Sequence, residues 1–171
     1  MRILTENLFF LPIATPATGG VATFYTPRIN MGLCLNAEFI ISMGALTTAN
    51  YTITVGCSAA AGYDAPTTDM TFRYRMSSAA GAGSATSTDT MGVITNVALA
   101  TGVPFVYTTD SNKTILIDVA SSELTQGYPY LGLTVTRGGS AASGAIVINA
   151  IVQPRYPQIS SKDGSGVSFF A

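Results

Sequence analysis

The chain has 171 residues, enough for one domain with a substantial core. Apolar residues make up 47% of it and charged residues 10%, far below the roughly 25% usual in soluble domains. With 8 Lys and Arg against 9 Asp and Glu, it has no basic field to draw nucleic acid, no cationic cluster for a lipid surface, and no apolar run long enough to span a bilayer as a helix. So little charge leaves two readings of the surface. Either much of it is buried against neighbouring subunits, or it is covered by Thr, Ser, Ala and Gly.

Residues 1–18 hold Leu8, Phe9, Phe10 and Leu11 followed by Pro12 and Pro16. The prolines argue against a helix or a central strand, so an extended N-terminal arm is expected, lying on its own domain or on a neighbour. Eighteen extended residues reach roughly 60 Å, several times the radius of gyration of about 16 Å for a domain this size. Arg2 is followed by Thr5, Glu6 and Asn7 before an apolar segment can form. That is a poor export signal, and folding in a cytoplasm is expected, with Cys34 and Cys57 as reduced, buried thiols.

Short strands are expected at residues 21–26, 36–43, 51–58 and 70–76. Tyr51, Ile53, Val55 and Cys57 alternate with Thr52, Thr54 and Ser58; Met70, Phe72, Tyr74 and Met76 alternate with Arg73 and Arg75. Residues 59–69 and 77–88 read as loops, and residues 91–99 and 103–107 as short extended segments. Ser121 is placed to cap a single helical turn. The last third is the most apolar, with β-branched runs at residues 114–119, 128–137 and 144–153. The Gly- and Ser-rich residues 138–144 between the last two read as a hairpin loop, and this strand–loop–strand unit as the centre of the core. Residues 158–171 form a Ser/Gly tail ending near Phe169 and Phe170, a second arm.

Around nine short strands and no long amphipathic helix predict an all-β fold. The expected architecture is an antiparallel two-sheet β-sandwich, jelly-roll-like, at residues 19–157, with extended arms at 1–18 and 158–171. Candidate chemistry is sparse. The absence of histidine removes the usual nucleophile systems and histidine metal sites. Asp64 and Asp69 share a loop but lack the alternating ligand spacing of a calcium site. Lys113 and Lys162 are isolated. No enzyme, cofactor or metal is expected. Arg73 and Arg75 are candidate interface anchors, held by Asp69, Glu38 or Asp118, on this chain or the next.

Several segments carry a resemblance: Leu8-Phe-Phe-Leu-Pro12, Phe72-Arg-Tyr-Arg75 with the later Asp89-Thr-Met-Gly92, the run from Ile115 to Leu124, Tyr128-Pro-Tyr-Leu-Gly-Leu133, and Ile151-Val-Gln-Pro-Arg-Tyr156. Together they resemble the capsid decoration, or cement, proteins of tailed bacteriophages. The resemblance implies a structural virion protein on the capsid exterior, made in the host cytoplasm. It would bridge major capsid proteins as a homo-oligomer, often a trimer, with no nucleic-acid or membrane partner. The candidate interface residues are Leu8, Phe9, Phe10, Leu11, Arg73, Arg75, Phe169 and Phe170. The competing readings are a receptor- or glycan-binding fibre module, and another phage part such as a tail-tube or neck component.

Overall fold

A computed structural model describes residues 8–18, 23–46, 49–77, 90–138 and 145–155. Among the described residues twelve strands form in chain order: β1 (Phe9–Thr18), β2 (Thr23–Tyr25), β3 (Ile29–Asn30), β4 (Cys34–Met43), β5 (Asn50–Ser58), β6 (Thr68–Asp69), β7 (Phe72–Met76), β8 (Thr95–Val97), β9 (Val103–Phe105), β10 (Thr114–Ala120), β11 (Tyr130–Gly138) and β12 (Ala145–Pro154). A single helical turn, α1 (Tyr107–Asp110), precedes β10, and a 3-10 turn, Ser121–Glu123, follows it.

The pairings are nested. β1 pairs with β12, β2 and β3 with β11, β4 with β10, and β5 with β9, all antiparallel. The chain is thus one long hairpin whose bend lies between β5 and β9. That hairpin is then rolled, so that β12 also pairs with β4 and β11 also pairs with β5. The result is two sheets, β1-β12-β4-β10-β7-β8 and β2-β11-β5-β6, which pack as a sandwich. This is the connectivity of a jelly roll. The bend itself carries an insertion, in which β6 pairs with β5 while β7 and β8 extend the first sheet beyond β10.

Alternation explains the layers. Ala37, Phe39, Ile41 and Met43 of β4 are buried, as are Ile115, Ile117 and Val119 of β10 and Ile146, Ile148, Ala150 and Val152 of β12. From the other sheet come Tyr51, Ile53, Val55 and Cys57 of β5, and Leu131, Leu133 and Val135 of β11. All belong to one continuous core. Each large side chain fully removed from water contributes about 1.5–3 kcal/mol, so the sandwich has ample hydrophobic drive. Cys34 and Cys57 are both free and buried. Burial pushes the Cys34 thiol up to about 11, against a smaller downward pull from Arg155, which leaves it protonated and unreactive at neutral pH.

Three expectations need correction. Phe9–Thr18, expected as part of an arm, is the edge strand β1; Phe9 and Leu11 pack half-buried on the core, on the chain's own domain. The prolines fit because an edge strand has one side free of partners, and the register slips between Pro12 and Ala14. Residues 138–144 do not close a hairpin: β11 and β12 lie in opposite sheets, because rolling separates neighbours in sequence. Ser121 does not cap the 3-10 turn. Glu123 does so, its Oε2 accepting the Ala120 N–H at 2.8 Å. The tail at 158–171, with Phe169 and Phe170, lies outside the described residues, as do residues 1–7.

Candidate interaction face

The outward residues of the six-stranded sheet fall into rows across it. One row runs Phe10, Ile151, Glu38, Asp118, Arg73, Asn96 through all six strands. The next runs Pro12, Asn149, Ile40, Leu116, Arg75. These positions are outward because their neighbours in each strand face the core. Glu38 and Asp118 stand directly opposite one another, a like-charge pairing that costs a few tenths of a kcal/mol or more. Arg73 relieves it from the far side, reaching Asp118 at 3.8 Å and Glu123 at 3.1 Å. Asp118 was among the partners expected for Arg73, and Glu123 was not. Among the described residues Arg75 has no ion-pair partner, and it is exposed. A shallow cleft of about 370 Å³ lies here, between Ile94, Leu116, Arg73, Arg75, Glu38 and Asp118.

The two margins of this sheet are apolar and open. Phe10 on β1 is 56% exposed, Val93 and Ile94 just before β8 are 84% and 55% exposed, and Leu99 after it is 61% exposed. Of the expected interface residues, Leu8 is half-buried ahead of β1, Phe9 and Leu11 turn inward, and Phe10 turns out. Arg73 and Arg75 share the outer face, three strands and more from Phe10. The residues that sequence reasoning missed are Ile40, Leu116, Val93, Ile94 and Leu99. A usable signal existed for two of them: apolar side chains at consecutive positions, Ile40-Ile41 and Ile115-Leu116-Ile117, force one of each set outward on a strand.

The outer face of the second sheet is built differently. Thr134 opposes Thr54, Thr136 opposes Thr52, and Gly132 opposes Gly56. The paired glycines leave a trough. The Arg28 stem lies on Gly132 and the Pro66 ring on Gly56; a methyl group on Gly56 would stand 2.5 Å from Pro66 Cβ. The Arg28 guanidinium, 3% exposed, donates to Ala60 O at 2.7 Å, Ala65 O at 2.8 Å and Asp64 Oδ1 at 2.5 Å. Asp64, weighed above as a calcium ligand, therefore serves to hold residues 59–67 against the sheet. Lys113, read from sequence as isolated, pairs with Asp110 at 2.9 Å.

Burial raises the Asp110 carboxyl, but hydrogen bonds from Lys113 and the Val106 N–H, with the Lys113 charge, outweigh it and hold the group below the ordinary carboxylate value. Among the described residues no cluster of three or more Cys, Asp or Glu side chains could hold a metal ion, and no helix is long and apolar enough to cross a membrane. No family model matches the chain, and no curated protein matches it.

Proposed function

We propose that the chain is a structural virion protein that decorates the exterior of a tailed-phage capsid and stabilises it by bridging major capsid proteins, as a homo-oligomer. The observation that carries this reading is the pair of open apolar margins on the six-stranded sheet, Phe10 on one side and Val93, Ile94 and Leu99 on the other. A jelly roll with this much apolar core has no need to leave these side chains in water, and exposed apolar groups at two edges of one sheet favour simultaneous contact with neighbours. Two further points support it. The low charge density suits a surface covered in an assembly, and jelly rolls recur in viral shells, a fold-level analogy. The reading involves no chemical step. Weak contacts repeated by lattice symmetry add up to a shell that resists opening.

The test is co-sedimentation of the full chain with heads stripped of it. Wild-type protein is expected to pellet with the heads and raise their resistance to heat. Phe10→Asp and Val93→Asp each place a charge in a contact meant to be dry, and are expected to weaken attachment at least tenfold while the sandwich stays folded. Undiminished attachment of both variants, or wild-type protein that stays in the supernatant, contradicts the proposal. Selective glycan binding by protein that ignores heads would favour the fibre-module reading instead.

A further inference from the structure

The middle of the same face, away from its apolar margins, is self-complementary. Across β4, β10 and β7 one row reads Glu38, Asp118, Arg73 and the next reads Ile40, Leu116, Arg75. Acid lies on β4 and β10, base on β7, and two aliphatic side chains, Ile40 and Leu116, fill the row next to the acids on those same strands. Arg73 is already engaged by Asp118 and Glu123, whereas Glu38 and Arg75 have no ion-pair partner among the described residues. They lie two strands and two residues apart, about 12 Å between Cα atoms, and do not meet within one chain.

We propose that this face is the contact between two copies of the chain, related by a two-fold axis that lies in the plane of the face and crosses β10 at Ile117. Ile117 sits between Leu116 and Asp118, midway between Glu38 and Arg75 in both directions. A half-turn about an axis perpendicular to the Glu38–Arg75 line lays Glu38 of each copy on Arg75 of the other. The same half-turn lays Ile40 beside Leu116, twice, and brings Asp118 to the arginine strand. Each group thus meets its complement, which is the condition an isologous contact must satisfy. A heterologous ring, such as a trimer, imposes no such condition on a single face. Charge complementarity therefore names a second copy as the occupant. The inference goes beyond the capsid role and stands without it.

The test is the solution mass of the full chain, measured by sedimentation equilibrium in the absence of heads. Wild-type protein is expected at twice the chain mass, dissociating more readily as salt rises. Glu38→Arg and Arg75→Glu each set like charges against one another twice, and each is expected to raise the dissociation constant about tenfold or more. Both positions lie on the surface, so unchanged thermal melts will show that both variants fold. An equimolar mixture of the two variants is expected to form a heterodimer, since positions 38 and 75 then carry opposite charges in both contacts. The double variant Glu38→Arg/Arg75→Glu is expected to dimerise alone. A wild-type monomer or trimer overturns the proposal, and so does a mixture that stays monomeric. Variants that keep the dimer mass but lose attachment to heads show that the face meets a capsid subunit instead, and also overturn it.

Discussion

The two outer faces of the sandwich use their charges in opposite ways. On the smaller sheet, one arginine is buried under a loop: Arg28 lies on Gly132, and its guanidinium is surrounded by Ala60 O, Ala65 O and the Asp64 carboxylate. On the larger sheet, Arg73 and Arg75 stand in the open beside Glu38, Asp118 and an apolar strip. The first arrangement finishes the fold, because each bond it makes is internal to the chain. The second leaves Glu38 and Arg75 facing outward with no ion-pair partner among the described residues. Burial separates the two settings: the Arg28 side chain is 3% exposed and that of Arg73 45%.

Exchanging Arg28 and Arg73 for methionine gives the sharpest contrast between the faces. Arg28→Met removes the buried donor of four hydrogen bonds, to Ala60 O, Ala65 O, Asp64 O and Asp64 Oδ1, and is expected to cost about 3 kcal/mol in urea unfolding. It should also expose residues 59–67 to proteolysis. Gly56→Ala attacks the same face through sterics, since its methyl would collide with Pro66 and with Thr68 O; a loss of about 2 kcal/mol is expected.

Asp110→Asn lies at neither face and calibrates the scale. It breaks a half-buried pair with Lys113, at about 1 kcal/mol. Because the folded Asp110 carboxyl titrates below its ordinary value of 3.8, its contribution is present above that pH and is lost as pH falls through the folded value. The variant should therefore lose stability less steeply than wild type below about pH 4. Arg73→Met should have the smallest effect on folding, under about 0.5 kcal/mol, because its partners are solvent-accessible. A loss at Arg73 matching that at Arg28 would erase the distinction between the faces.

The alternation in β4, β5, β7 and β10–β12 is enough to predict a sandwich, because each of these strands is buried on one side and long enough to show its period. Short strands such as β3 and β6 have two residues each and carry no period at all. The order of strands depends on how the long hairpin rolls, and rolling is decided by partners distant in sequence, such as Ile146 beside Met43. That is why β11 and β12 read as a hairpin and instead lie in opposite sheets. The first strand reads as an arm for a related reason: its prolines exclude a central position but say nothing against an edge. Of the candidate interface, Arg73 and Arg75 are legible as outward groups, while Phe10 is not told apart from Leu8, Phe9 and Leu11, and the role of Arg28 is not legible either. Nothing in Pro27-Arg28-Ile29 marks a buried cation; its partners are more than thirty residues away.

That this jelly roll adheres to a viral shell through the apolar margins of the larger sheet is tested most directly by a cryo-EM map of virions that carry the chain. We expect density for the sandwich on the outside of the head, with Phe10 and Val93 against neighbouring subunits and residues 59–67 turned to solvent. Density on the tail, or a sandwich on the head with those two side chains in solvent, would contradict it.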